Sequence, residues 1–207
     1  VCFDPSTYVG WVEQSHALLD PLVAALGRYT LAGVKVHADD TPVPVLDPGR
    51  GRTKIGRLWV YVRDDRPAAS AEPPAAWYRY TPNRKGEHPQ RHLSDYRGIL
   101  QADAYGGYGK IYATGRVEEA ACWAHARRPF WEMYKEQGRV SGSIAEQALQ
   151  RIAALYAIEA EIRGRPPDVR RRERQARAGP LLEQMRDWFT RMLGRVSAKS
   201  ELAKEIG

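Results

Sequence analysis

The N-terminal part of the chain carries apolar side chains at helical spacing. In "YVGWVEQSHALLDPLVAALGRYT", residues 8–30, they recur at intervals of three and four residues, which is typical of an amphipathic helix. These positions are Val9, Val12, Leu18, Leu19, Leu22, Val23 and Leu26. Pro21 predicts a kink in this helix or the start of a second one. We therefore predict a helical lead-in over residues 1–30.

The pattern then changes to one typical of β-strands. Residues 34–46, 57–65 and 76–82 alternate apolar and polar positions or are rich in aromatic and β-branched side chains. The connection "DPGRGRTKIG" has the Gly and Pro content of a hairpin loop. Because strands joined by short loops pair in opposite directions, we predict an antiparallel meander of three strands.

Helices and strands alternate in the next part of the chain. We predict a short helix at 88–98, a strand at 99–105, a short helix within 106–115 and a strand at 118–125. The rest of the chain has a helical pattern, which is strongest over 144–162. The arginine-rich stretch that follows it is typical of a solvated charge run, and a last amphipathic helix covers "LLEQMRDWFTRMLGRV".

This order of elements matches the ribonuclease H-like fold. That fold is an α/β architecture whose mixed sheet begins with an antiparallel meander and continues with βα units. We expect it over residues 31–140, followed over 141–207 by an incomplete helical region, either an insertion or a C-terminal part. The chain begins without Met, so we also expect a fragment of a longer protein.

The composition indicates which kinds of partner and which cellular compartment to expect. Lys and Arg number 32 against 25 Asp and Glu, and a basic chain suggests a polyanion such as nucleic acid, although a solvated basic surface explains the charge as well. Two cysteines make no disulfide framework, which favours a reducing compartment. No apolar run approaches the roughly 20 residues of a membrane span, so we expect no membrane association.

Two aspartates stand where the predicted fold could use them. Asp39 lies within the first strand and Asp103 in the fourth, and in a ribonuclease H-like sheet these strands are neighbours. Two facing carboxylates can hold divalent cations about 4 Å apart for phosphoryl transfer, and Mg²⁺ prefers such oxygen ligands. Asp40 should point to the opposite face, because strand side chains alternate. Alternatively, each aspartate is an ordinary turn or cap residue.

"CWAHARR" contains half of a zinc-site pattern. Cys122 and His125 have the spacing of two metal ligands, but a structural zinc ion needs four. The candidates for the other ligands have unconvincing spacing, so zinc is disfavoured; they are Cys2, His88 and His92. His125 could instead contact a phosphate together with Arg127 and Arg128.

Two further groups of charged residues are candidates. In "YRYTPNRKGEHPQRHL" the cationic positions Arg84, Lys85, Arg91 and His92 suit contacts with a phosphate backbone, although a solvated loop is an equal alternative. Glu159 lies among the apolar positions of its predicted helix, which is unusual for Glu. It is a candidate third carboxylate, and a salt-bridge partner would explain it as well.

Several ordered stretches together resemble the transposases of the insertion sequence 66 family of bacterial mobile elements. They are "HADDTPVPVL", "GRLWVYVRDDRP", "YRYTPNRKGEHPQRHL", "GILQADAYGGYGKIY", "CWAHARRPFWE" and "RIAALYAIEAEIRG". The resemblance implies a DDE-type DNA transposase whose catalytic core is ribonuclease H-like and whose cofactor is Mg²⁺ or Mn²⁺. It implies element ends and target DNA as partners, a bacterial cytoplasmic location on the nucleoid, and a homodimer when two ends are brought together.

The family pattern maps onto this chain residue by residue. Its first acid falls on Asp39 and its second on Asp103, while Asp40 replaces a glutamate. Family members continue past "AKSELAKEIG" into a motif that supplies the third acid, so that acid is either Glu159 or absent from this chain. The alternatives are a catalytically inactive DNA-binding remnant and a nuclease of the same fold.

Overall fold

A computed structural model describes residues 4–195 and residue 197. The described chain divides into two compact units. The first contains residues 4–64 and 73–121, and the second contains residues 65–72 together with the chain from 122 onward. The first unit is built around a β-sheet, and the second is made of helices.

The first unit holds a five-stranded mixed sheet in the order β3-β2-β1-β4-β5. The strands are β1 (Lys35–Asp47), β2 (Arg52–Arg63), β3 (Ala75–Thr81), β4 (Gly98–Ala102) and β5 (Val117–Ala121). β1 pairs antiparallel with β2, and β2 pairs antiparallel with β3, so the predicted meander is confirmed. β4 is parallel to both β1 and β5. The mixed α/β class is therefore confirmed, and β1 lies at the centre of the sheet.

One long helix and two short ones accompany this sheet. They are α1 (Pro5–Leu31), α2 (Glu87–His92) and α3 (Gly109–Tyr112). Asp4 caps α1 by accepting a hydrogen bond from the Ser6 N–H at 2.8 Å, and Pro21 lies inside the helix without ending it. α1 contacts β3 closely at Gly27, where a Cβ would lie 2.8 Å from the Trp77 ring. The lead-in is thus a single helix.

The core of the first unit follows the alternation of the strands. Val36 and Ala38 of β1 are buried, as are Trp59 and Tyr61 of β2. Trp59 satisfies its indole N–H by donating to the Thr81 hydroxyl at 2.7 Å. The same cluster contains Leu93, Tyr96, Leu100, Ala102, Tyr108, Ile111 and Val117. Because side chains alternate along a strand, the next β1 residue toward this core after Ala38 is Asp40.

The second unit contains four helices among its described residues. They are α4 (Trp123–Glu136), α5 (Ile144–Glu161), α6 (Pro167–Glu173) and α7 (Gly179–Leu193), with a π-helical segment at Arg174–Ala178. Ser143 caps α5 by accepting from the Glu146 N–H at 3.2 Å. Phe130, Ile152 and Trp188 lie at the centre of the core. No helix in the described part of the chain is long and apolar enough to cross a membrane.

Several predicted boundaries were wrong. The predicted strand at 118–125 ends at Ala121, and α4 begins at Trp123. The predicted strand at 99–105 ends at Ala102, so Asp103 lies just beyond it. The predicted helix at 88–98 stops at His92. These segments are short, and tertiary pairing rather than local pattern decides where each one ends.

Gly98 fixes the junction between β1 and β4. Its φ is +138°, and a Cβ at this position would overlap the Val34 carbonyl oxygen. That oxygen accepts the Ile99 N–H at 2.8 Å, so the overlap falls on the hydrogen bond that starts the β1–β4 pairing. Glycine is therefore required here for both conformation and space.

We expect Gly98→Ala to lower the free energy of unfolding by about 3 kcal/mol or more, because strain and overlap act together. Gly115→Ala is the control, since Gly115 has φ +67° but open space around it. That substitution should cost only about 1 kcal/mol. Urea denaturation followed by circular dichroism measures both, and equal losses would contradict the role assigned to the Val34 contact.

Candidate functional site

The parallel pairing of β1 with β4 brings the two predicted aspartates to the same level of the sheet. His37 pairs with Gln101. Asp39 and Asp103 each lie two residues further along, one inside β1 and the other just after β4. The residues that the sequence selected therefore lie equally far beyond the paired His37 and Gln101, Asp39 within β1 and Asp103 in the segment after β4.

Asp40 is a buried carboxylate bound by two arginines. Its side chain is only 1% exposed. Arg57 of β2 donates from Nη1 to Asp40 Oδ2 at 3.0 Å, and Arg84 donates from Nε to Oδ1 at 2.9 Å. A charge removed from water in this way requires such partners. The burial and the two arginines make Asp40 the anchor of an ion-pair cluster.

Arg84 extends the cluster to Asp103. Its Nη2 lies 2.8 Å from Asp40 Oδ1 and 3.0 Å from Asp103 Oδ2. Asp103 also accepts a hydrogen bond from the Tyr105 N–H at 3.3 Å. One guanidinium thus holds a carboxylate of the central strand and a carboxylate at the end of β4 together.

Tyr105 fixes the position of Arg84. The guanidinium carbon lies 4.2 Å from the centre of the Tyr105 ring, in a cation–π arrangement. The Tyr105 hydroxyl donates to the Arg84 carbonyl oxygen. Burial lowers the pKa of Arg84, but its hydrogen bonds and charge interactions with Asp40 and Asp103 outweigh burial and raise that pKa overall. The cluster therefore contains a permanent, positioned positive charge.

Asp39 has a different environment from Asp40. It is half-buried, and its Oδ1 accepts the Asp40 N–H at 2.8 Å. The sequence prediction selected Asp39 and set Asp40 aside as a bystander, and so missed the ion-pair cluster. The signal was the parity of Val36, Ala38 and Asp40, which places an acid on the buried face of a strand.

The predicted phosphate-binding residues belong to both units. Arg84, Lys85 and Arg91 are in the first unit, where Arg84 is engaged with Asp40 and Asp103. In the second unit, His125, Arg127 and Arg128 lie in α4, and Arg127 is 5.3 Å from the centre of the Trp131 ring. DNA contact by all six residues stays a prediction.

Glu159 belongs to the second unit and has arginine partners there. Its Oε1 accepts from Arg174 Nε at 2.6 Å, its Oε2 accepts from Arg174 Nη2 at 2.7 Å, and Arg170 lies 3.4 Å away. The hydrogen bonds from Arg174 are the main cause that lowers the pKa of Glu159. These ion pairs account for a glutamate among apolar positions, and a catalytic role for Glu159 stays a prediction.

The first unit contains carboxylate oxygens of the type that a divalent cation binds. Asp39, Asp40 and Asp103 offer carboxylate oxygens, the ligands that Mg²⁺ prefers. Within residues 4–195, however, no group of three or more His, Cys, Asp or Glu side chains is arranged to hold a metal ion. Arg84 binds two of these three carboxylates instead.

Comparison with known proteins gives a family. The family model described as "Transposase IS66 family" matches residues 1–207. The uncharacterized protein y4hP of Sinorhizobium fredii is 36% identical over 214 residues, which cover 97% of this chain and 38% of y4hP. The uncharacterized protein y4jD of the same organism is 34% identical over 213 residues, which cover 100% of this chain and 41% of y4jD. The chain thus spans about two fifths of the length of these relatives.

His92 packs against Trp59 and Tyr61 as a neutral side chain. Its Nδ1 lies 2.9 Å from the Tyr61 hydroxyl. Burial is the largest cause that lowers the pKa of His92, and the charges of Arg79, His88 and Arg91 add to it, so the pKa falls to about 4. His92 is therefore uncharged at neutral pH.

The lowered pKa of His92 predicts a pH dependence of stability. The unfolded chain takes up this proton near pH 6.5 and the folded chain only near pH 4, so stability falls as the pH drops between these values. We expect a shallower fall in His92→Gln, measured by thermal unfolding at several pH values. The exposed His16→Gln serves as the control and should keep the wild-type slope; equal slopes in all three proteins would contradict the assignment.

Proposed function

Since the chain belongs to the IS66 transposase family, we propose that the whole protein cuts DNA at the ends of an insertion element and joins the freed 3′-hydroxyl to target DNA. The observation that carries this proposal is the parallel pairing of β1 with β4, since Asp39 and Asp103 each lie two residues beyond the paired His37 and Gln101. Paired carboxylates in this position are suited to metal-assisted phosphoryl transfer.

The sheet supports a ribonuclease H-like core. An antiparallel meander supplies β1 at the centre, and two parallel strands, β4 and β5, follow on its other side. This is the order of strands on which the proposed chemistry depends, because it places the end of β4 beside the acidic part of β1.

Asp39 and Asp103 are the proposed metal ligands. Mg²⁺ or Mn²⁺ would activate the attacking water or 3′-hydroxyl and stabilise the leaving oxygen. Asp39 and Asp103 would hold the ion through their carboxylate oxygens. The third acid is either Glu159 or a residue outside this chain, and the ion pairs of Glu159 with Arg174 and Arg170 favour the second alternative.

DNA is the partner that the family implies. The net charge of +7 supports binding to a polyanion. Lys85, Arg91 and the basic residues of α4 are the proposed phosphate contacts. On this proposal the protein acts in the bacterial cytoplasm, on the nucleoid, as a homodimer when two element ends are brought together.

The metal site can be tested on this chain alone. We expect Mn²⁺ to bind, and the double variant Asp39→Asn with Asp103→Asn to lose that binding, because both proposed ligands lose their charge. The matched control is Asp47→Asn with Asp95→Asn, which changes the net charge equally at two other positions in the first unit. Titration calorimetry measures the affinity; unchanged affinity in the Asp39 and Asp103 variant would exclude the two-carboxylate site.

Phosphate contacts should appear in the salt dependence of DNA binding. Lys85→Ala with Arg91→Ala should weaken binding to any duplex and reduce the slope of log affinity against log salt by about 2. Lys110→Ala with Arg116→Ala is the charge-matched control and should leave the slope near that of the wild type. Fluorescence anisotropy at several salt concentrations gives both slopes, and the same slope change in both variants would contradict a specific surface.

The alternatives differ in their products. A transposase joins a labelled element end to target DNA, a nuclease of the same fold only cuts it, and an inactive DNA-binding remnant does neither while keeping salt-dependent affinity. The assay belongs with the whole protein, since this chain spans about two fifths of its relatives.

A further inference from the structure

The ion-pair cluster of the first unit is balanced in charge. It contains two carboxylates, Asp40 and Asp103, and two guanidinium groups, Arg57 and Arg84. A divalent cation placed beside this set would meet a locally neutral group rather than an acidic one. Binding would therefore be weak as long as both arginines stay in contact with the carboxylates.

Arg84 is the member of the cluster that a divalent cation can displace from the carboxylates. It contacts both carboxylates, whereas Arg57 contacts only Asp40. Its side chain is 36% exposed, which gives the guanidinium a direction in which to move. Asp103 is 22% exposed, and its Oδ2 would become available once Nη2 leaves.

If the Arg84 guanidinium moves away from Asp40, another positive charge has to take its place. The Asp40 carboxylate is 1% exposed with Arg84 in place, so departure of the guanidinium takes one of two charged partners from a buried acid. A buried carboxylate that loses a charged partner is costly, and a cation entering the same space removes that cost. Arg84 and a divalent cation are thus alternative counter-ions for Asp103, beside the buried Asp40.

We infer that Arg84 is an internal counter-cation, a positioning residue that holds Asp103 against Asp40 and competes with the divalent cation for Asp103, one of the two proposed metal ligands. The inference rests on the proposed function, because it concerns the metal site of that reaction. The sequence predicted a direct phosphate contact for Arg84 and a bystander role for Asp40. On this inference, Arg84 is instead a counter-ion and Asp40 is the buried acid that holds it.

The test is the Mn²⁺ affinity of Arg84→Gln, measured on the purified 207-residue chain by the electron paramagnetic resonance signal of free Mn²⁺. Removing the competing charge while keeping a polar side chain should tighten Mn²⁺ binding at least about tenfold. Arg84→Lys keeps the positive charge but loses the planar fork that bridges the two carboxylates, so it should tighten Mn²⁺ binding less than Arg84→Gln does. Arg97→Gln removes one charge at an exposed position of the same unit and should leave the affinity unchanged.

Thermal unfolding gives a second readout. A ligand that binds the folded state more tightly raises the melting temperature more, so Mn²⁺ should stabilise Arg84→Gln by a larger shift than the wild type. If Arg84→Gln is unfolded without metal, Mn²⁺ should restore its circular dichroism spectrum, whereas the same concentration of Na⁺ should not.

The outcomes separate this inference from the proposed function. Mn²⁺ binding to the wild type with equal or weaker binding to Arg84→Gln would overturn the competition and leave the metal site standing. An equal gain in Arg97→Gln would also overturn it, since net charge alone would explain the effect. Absence of Mn²⁺ binding in the wild type and in Arg84→Gln alike would overturn the metal site itself.

Discussion

The buried carboxylate of Asp40 is the interaction on which the site depends. β1 lies at the centre of the sheet, and its core-facing side chains run from Val36 through Ala38 to Asp40. A charge at the end of that row requires partners from neighbouring elements. Arg57 comes from β2, Arg84 comes from the segment after β3, and Arg84 in turn holds Asp103 after β4. One buried acid thereby ties four segments of the chain together.

The same cluster relates structure to the proposed chemistry. Metal binding is proposed for Asp39 and Asp103, and the cation that contacts Asp103 in this structure is the guanidinium of Arg84. Arg84 is held by Tyr105 on one side and by Asp40 and Asp103 on the other, so Asp103 is already positioned before any metal binds. A ligand held in place in this way suits the proposed phosphoryl transfer, because misplaced ligands lose much of their effect.

Acids of the second unit also pair with arginines, but at the surface. The arginine-rich stretch that the sequence marked as a solvated run contacts Glu159 through Arg170 and Arg174, and Glu161 through Arg177. These pairs are far more exposed than Asp40, so water competes with them and each contributes little to stability. The two units therefore use similar residues for different purposes, a fixed buried cluster in one and a partly solvated helix contact in the other.

The sequence by itself determined the features that depend on neighbours along the chain. The meander, the lead-in helix, α5 and α7 follow from local periodicity, and Asp39 and Asp103 were selected because each lies in a predicted strand. Tertiary structure decided where β4 and β5 end, and it decided that Asp40 is the anchor of the ion-pair cluster. Arg84 lies 44 residues from Asp40 and 19 from Asp103, so no local pattern reports their contact. Only the pairing of β1 with β2 and β4 brings these charges within hydrogen-bonding distance.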